Sequence, residues 1–322
     1  MSQLDFEHDR VLVTGGHGFL GTRLCQSLRE RGVAEDRLIV PTHAEIELTD
    51  EAQVAAMYQS AKPDVVFHLA AEVGGIGANQ AHPGRFFYAN FAMGINLIEQ
   101  ARVHGLKKFV HCGTVCAYPE HTPRPFTEDQ FWNGYPAPIT APYGIAKLSL
   151  GVMLDGYRRE HGLASCMLIP VNLYGPGDNF DLRSAHVMPA LIRKFIHAID
   201  TNEDTVSVWG SGNASREFLY VTDAADGLIH AAQRVDDHIP INLGSGIETP
   251  IRHLAELIAD ATGFTGQIVW DTGMPDGQPR RCLSMERAHE KLGWSAQVPL
   301  DQGVRQTVAW CRENKGAIRG WG

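Results

Sequence analysis

The chain has 322 residues, 44% of them hydrophobic, and a formal net charge of −9. That length allows about two domains or one large one with a sizeable core, and the negative balance argues against a nucleic-acid or anionic-membrane surface. No long apolar run or signal peptide is read in it, so no membrane association is expected. The six cysteines, at 25, 112, 116, 166, 282 and 311, show neither a disulfide framework nor zinc spacing. A reducing cytoplasm and no metal are therefore expected.

Strand signals fall at residues 10–14, 37–40, 64–69, 108–112 and 165–169, and helices are expected to begin near Gly18, Asp50, Gly84 and Tyr143. Continuous apolar runs such as Val65-Val66-Phe67 point to a parallel sheet covered on both faces. The fold class is α/β: a doubly wound, Rossmann-type sheet with a smaller α/β substrate lobe. The first strand is followed by Gly15-Gly16-His17-Gly18-Phe19-Leu20-Gly21 and a helix-compatible stretch. Glycines 15, 18 and 21 let the turn tighten, bring the backbone close to a pyrophosphate and pack the helix on the strand. The helix start, with Phe19 and Leu20, then faces the phosphates.

The second strand ends in Pro41-Thr42-His43. A carboxylate there favours the free ribose hydroxyl of NAD, and its absence tilts the reading to NADP(H), with NAD(H) as the alternative. Asp50 can hydrogen-bond adenine or cap a helix. After the third strand, His68-Leu69-Ala70-Ala71 and Glu72-Val73-Gly74-Gly75 read as a loop lying against the cofactor. At the end of the fourth strand Thr114 can hydrogen-bond a reacting carbonyl, and Cys116 can move a proton on carbon or be a buried small hydrophobe.

Tyr143-Gly-Ile-Ala-Lys147 opens an apolar helix, and the spacing of four puts phenol and ammonium on one face. Lys147 is expected to lower the Tyr143 pKa and make the phenol usable near neutrality. In the second half, a helix is expected over residues 186–199. Residues 217–221 read as a strand returning to the main domain, 239–243 and 267–271 as further strands, and 300–313 as a terminal helix. This organisation gives a dinucleotide-binding domain over 1–172 plus about 217–246. The substrate lobe then takes about 173–216 plus 247–322.

The glycine loop, His68-Leu-Ala-Ala71, Thr114 and Tyr143-x-x-x-Lys147 together resemble the extended short-chain dehydrogenase/reductases. Val73-Gly-Gly-Ile76, Asn172-Leu-Tyr-Gly-Pro-Gly-Asp-Asn-Phe180, His186-Val-Met-Pro-Ala-Leu191, Val208-Trp-Gly-Ser-Gly212, Arg216-Glu-Phe218 and Pro275-Asp-Gly-Gln-Pro-Arg280 narrow the likeness to the GDP-L-fucose synthase family. The resemblance implies an NADP(H)-dependent epimerase-reductase of a GDP-4-keto-6-deoxy sugar. Tyr143 would protonate the keto oxygen, Lys147 hold the nicotinamide ribose, Thr114 stand for the family's serine, and Cys116 and His186 exchange protons at carbons 3 and 5. Pro170 joins the cofactor residues, while Asn172, Lys194, Trp209, Arg216 and Arg280 would meet the GDP-sugar. A homodimer through helices near 86–101 and 148–157 is also implied, although the residues alone allow the same helices to be buried on the sheet.

This chain departs from the family pattern at Glu72 for lysine, Ala141 for glutamate, and His17, Pro41 and His43 for arginines. Two other readings remain: an enzyme performing only the epimerisation or only the 4-keto reduction, and a non-catalytic dinucleotide sensor on the same fold.

Overall fold

Alternation along each strand decides which layer a side chain joins. The computed structural model describes residues 4–237, 239–274, 280–318 and 321. Its strands are β1 (Val11–Thr14), β2 (Leu38–Ile39), β3 (Val65–His68), β4 (Lys108–Cys112), β5 (Ser165–Pro170), β6 (Asn172–Tyr174), β7 (Thr205–Trp209), β8 (Ser215–Tyr220), β9 (Ile241–Leu243), β10 (Glu248–Pro250) and β11 (Gln267–Asp271). Its helices are α1 (Phe19–Glu30), α2 (Glu51–Ala61), α3 (Ile76–Ala81), α4 (Pro83–Val103), α5 (Ala141–His161), α6 (Val187–Thr201), α7 (Val221–Arg234), α8 (Ile251–Thr262), α9 (Glu286–Leu292) and α10 (Leu300–Asn314).

Six strands form one parallel sheet in the order β2-β1-β3-β4-β5-β9. Val11, Val13, Val65 and Phe67 face a core shared with α1 and α7. The alternate residues Leu12, Val66 and Phe109 face α2, α4 and α5. Both faces are therefore dry, and the doubly wound expectation holds. The strand order reverses between β1 and β3, which opens a crevice at the carboxyl ends of these strands, the place where such sheets take ligands.

The helix of Tyr143 is fixed at both ends. Pro142 stands in its first turn, and Gly162 closes it in the left-handed region at φ 71°. Arg158, Arg159 and His161 lie in the last turn, where the helix dipole favours positive charge. At the middle, Gly94 of α4 meets Leu150 of α5 so closely that an added Cβ would lie 2.1 Å from Leu150 Cδ1. That missing side chain lets the two long helices press together over β3 and β4.

A third core joins α6, α8 and α10 through Phe180, Leu191, Phe195, Phe218, Leu254 and Val304. It covers a three-stranded sheet, β10-β8-β6, and the parallel pair β11-β7. The segment expected as a strand returning to the main domain is β8, which pairs with β6 and β10 in the three-stranded sheet. Val221, expected in that strand, starts α7. β9 does join the main sheet, as its sixth strand. Residues 275–279, within the Pro275–Arg280 segment of the sequence reading, lie outside the described residues.

All six cysteines are free. Among the described residues no group of His, Cys, Asp or Glu could hold a metal ion, and no helix is long and apolar enough to cross a membrane.

Candidate active site

The crevice begins at the glycine loop. Gly15 takes φ +72°, and a Cβ there would sit 2.8 Å from the Ala70 nitrogen, so the loop and the end of β3 touch backbone to backbone. At Gly21 the same atom would lie 2.1 Å from the Gly15 oxygen, which is how α1 comes down onto its own turn. Gly16, which the fingerprint left without a role, faces Val40 at 2.4 Å by the same construction. α1 starts at Gly18 with no side-chain cap, so the amides of Phe19 and Leu20 are available to an anion. Leu69, Ala70 and Ala71 form the other lip.

At the adenosine end, His17 Nε2 lies 3.0 Å from the Val40 carbonyl, and His43 Nε2 lies 3.7 Å from Glu47. Asp50 is the N-cap of α2; its Oδ1 accepts from Ala52 N at 2.9 Å and Gln53 N at 3.2 Å. The sequence reading passed over Glu45. It accepts from both the amide and the hydroxyl of Thr42 at 2.8 Å, which holds its pKa below the usual carboxylate range. A carboxylate thus stands two residues past the Pro41–His43 stretch where one was looked for.

The reacting end is built where α5 meets the turn after β4. Thr114, extended at φ −156°, caps the short 3-10 turn of Val115–Ala117 and accepts from Cys116 N at 3.2 Å. Its hydroxyl also acts on the Tyr143 phenol, favouring the phenolate. Gly144 makes this possible: a Cβ there would lie 2.5 Å from the Cys116 carbonyl oxygen. Only glycine after Tyr143 allows the first turn of α5 to rest on that carbonyl, and the sequence reading did not single it out.

The charges differ from the expectation. Burial pushes the Tyr143 phenol well above its ordinary value, helped by Cys116 and Cys112, and the Thr114 hydrogen bond pulls the other way. The Lys147 ammonium is itself buried, which brings its pKa down to about 8, and its field falls on His68, His111 and Cys112. The shared helical face turns both side chains inward, where Tyr143 and Lys147 are buried. Near neutral pH the phenol keeps its proton, the form that ketone reduction consumes.

His186 precedes α6. It meets solvent, yet enough protein surrounds the imidazole to lower its pKa. The segment just before it lies against the loop after β3, since a Cβ on Gly75 would sit 3.6 Å from the Ser184 carbonyl oxygen. That loop is anchored by Asn90, a buried residue of α4. Its Nδ2 donates to the Glu72 carbonyl at 2.8 Å, and its Oδ1 accepts from Glu72 N at 3.2 Å. A lone asparagine among Phe86, Ala89, Met93 and Leu97 was the signal for this role. Glu72 itself turns outward to pair with Arg85.

Pro170 ends β5 and Asn172 opens β6, with Asn172 Nδ2 donating to the Glu217 carbonyl at 3.0 Å. Lys194 donates to the Ser207 carbonyl at 2.9 Å and lies 5.8 Å from the ring centre of Trp209, which is 63% exposed. Arg216 sits on β8 and donates to the Ser215 carbonyl at 2.7 Å. Arg280 forms a two-pronged pair with Glu248, one prong at 2.6 Å, and holds that carboxyl down at about 2. An anionic ligand at Arg280 must compete with Glu248.

The NAD dependent epimerase/dehydratase family model matches residues 11–244. The chain is 38% identical over 305 residues to putative GDP-L-fucose synthase 2 of Arabidopsis thaliana, covering 95% of this chain and 92% of that one. It is 37% identical over 320 residues to GDP-L-fucose synthase of Escherichia coli, at 97% and 99% coverage. Among solved structures, a GDP-L-fucose synthetase from Naegleria fowleri bound to NADP superposes with TM-score 0.91 at 29% identity, covering 99% of this chain and 98% of that one. The chain belongs to the NAD dependent epimerase/dehydratase family.

Proposed function

We propose that this protein is an NADP(H)-dependent epimerase-reductase of a GDP-4-keto-6-deoxy sugar, of the GDP-L-fucose synthase type. What carries the reading is the meeting of Thr114 and Cys116, on the turn after β4, with the first turn of α5 that bears Tyr143, in a chain that is 37–38% identical to such synthases over nearly its whole length.

The glycine cradle, where no side chain fits at Gly15 or Gly21, suits a dinucleotide. Gly15, Gly18, Phe19, Leu20 and Gly21 would hold its pyrophosphate, His43 and Asp50 its adenosine, and Leu69, Ala70, Ala71 and Pro170 its nicotinamide half. When bound, NADPH supplies the hydride that reduces the 4-keto carbon. Lys147 binds the ribose beside it. Tyr143 gives the phenolic proton to the oxygen of that carbon, and Thr114 holds the oxygen by a hydrogen bond. Before reduction the keto group acidifies carbons 3 and 5. Cys116 takes or gives a proton there as thiolate or thiol, and neutral His186 serves as its counterpart.

Asn172, Lys194, Trp209, Arg216 and Arg280 bind the GDP portion, the arginine forks suiting a diphosphate. The dinucleotide domain takes 1–172 plus about 217–246, and the lobe takes about 173–216 plus 247–322. Phe87, Tyr88 and Val103 of α4 and Val152 of α5 are exposed apolar residues, and they support a homodimer packed through these helices. The enzyme works in the cytoplasm.

The test is incubation with GDP-4-keto-6-deoxymannose in deuterated water with NADPH or NADH, read by mass and NMR. Deuterium at carbons 3 and 5 followed by GDP-L-fucose, faster with NADPH, is expected. Exchange without reduction would reduce the assignment to an epimerase, and reduction without exchange to a reductase. Binding without either would leave a dinucleotide sensor.

A further inference from the structure

One polar row in the sheet is used by neither the glycine loop nor the proposed chemistry. Thr14, His68 and His111 hold matched register positions across β1, β3 and β4, and all three are 0% exposed. Two residues back on the same strands stand Leu12, Val66 and Phe109, which pack under α4 and α5. The row therefore lies directly beneath α5, one layer below the crevice.

Thr14 Oγ1 is 2.9 Å from His68 Nδ1, and His111 Nε2 is 3.1 Å from the carbonyl oxygen of Lys147. The two imidazoles stack at 5.6 Å with an interplanar angle of 22°. These contacts fix the tautomers. A carbonyl only accepts, so the neutral His111 ring carries its proton on Nε2 and keeps Nδ1 as an acceptor. Thr14 Oγ1 also accepts from Ala70 N at 3.4 Å, and with no other acceptor among the described residues its hydroxyl proton goes to His68 Nδ1, which places the His68 proton on Nε2. One donor and one acceptor remain, His68 Nε2 and His111 Nδ1, and both are buried without a partner among the described residues. Complementary buried groups of this kind are where proteins hold an ordered water.

We propose that His68 and His111 are positioning residues for Lys147: a neutral pair, joined by one bridging water, that ties the lysine's backbone to the strand ends bearing the glycine loop. The proposal rests on Lys147 being the lysine that holds the dinucleotide.

The Lys147 charge is also felt at the row. Burial keeps both rings far below the usual histidine value, and the Lys147 charge lowers them further, so neither becomes a second cation beside it. The other group coupled to the ammonium is Cys112 of β4. On α4 the charged side chains are taken up elsewhere, Arg85 by Glu72 and Arg102 by Glu99. Removing the His111 acceptor should leave the ammonium less solvated and lower its pKa.

The experiment has two readouts. In the ligand-free protein, ¹⁵N NMR of the imidazoles should find both rings neutral and protonated on Nε2 across the pH range in which ordinary histidines titrate. In direct NADPH binding, the alkaline loss of affinity, near pH 8 from Lys147, should move down by about one unit in His111→Phe, weakening NADPH about fivefold at pH 8 and about tenfold well above it. His111→Gln, which keeps a donor for the Lys147 carbonyl and an acceptor for the water, should restore the profile. Thr14→Val should mix the His68 tautomers and serves if His111→Phe does not fold. A His111 ring protonated on Nδ1, a ring titrating in the ordinary range, or an unmoved profile in His111→Phe overturns the proposal. NADPH binding without any alkaline limb in the unmodified protein would instead refute the role given to Lys147, while the tautomers would still decide the pairing.

Discussion

Gly144→Ala isolates the contact that sets the catalytic geometry. The new methyl would start 2.5 Å from the Cys116 carbonyl oxygen and 3.0 Å from the Ala117 nitrogen, both backbone atoms that cannot rotate away. Ordinary carbon–oxygen approach begins at roughly 3.3 Å, so α5 must lift from the turn by about 0.8 Å. Alanine contributes about 1 kcal/mol of helix propensity, against about 1–3 kcal/mol for overpacking. The net loss of stability is then at most about 2 kcal/mol, and the protein should fold. Catalysis is less forgiving, because a misplacement near 1 Å costs on the order of 100-fold in rate. Gly156→Ala on the same helix is the control, since its Cβ meets nothing within 4 Å. It should be neutral or stabilising. Thermal unfolding and NADPH oxidation with the keto sugar measure both quantities. A Gly144→Ala protein that reduces substrate within about threefold of normal would refute the claim that this contact positions Tyr143.

Cys116→Ser should lose deuterium exchange at carbons 3 and 5 yet reduce a keto sugar already epimerised; equal loss of both steps would count against the thiol as the epimerising group. For Lys147 the folded pKa of about 8 lies below its ordinary 10.5, so the unfolded chain binds the extra proton between these values and stability rises with pH through that window. Lys147→Met should therefore stabilise the ligand-free protein at pH 7 by up to about 3 kcal/mol, an advantage that shrinks above pH 8 in urea unfolding, while NADPH binding is lost. Gly21→Ala, with a Cβ 2.1 Å from the Gly15 oxygen, should weaken dinucleotide binding by at least tenfold in titration calorimetry, because the turn must open.

Much of the fold was legible because its strands are long apolar runs. β4 was read at its observed bounds, and the glycine fingerprint marked the crevice. β6 and β10 have three residues each, too few to show a period, and only tertiary pairing makes them strands. Nor could the sequence say which strands β8 pairs with, since a buried strand does not carry the name of its partner. At the site, residue type and spacing brought forward the hydroxyl, thiol, phenol and ammonium. They could not show where the Lys147 charge goes, because spacing along α5 defines a face and not what that face packs against. Gly16, Gly144 and Asn90 were missed for a related reason: each acts by what it lets the backbone approach or by what it pins.

The most direct test of the division of labour is Tyr143→Phe, incubated with GDP-4-keto-6-deoxymannose and NADPH in deuterated water and followed by NMR. The expected result is deuterium at carbons 3 and 5 with no 4-hydroxyl product, since the phenol serves only the reduction. A folded, substrate-binding variant that neither exchanges nor reduces would contradict the separation of the Cys116–His186 and Tyr143–Lys147 roles.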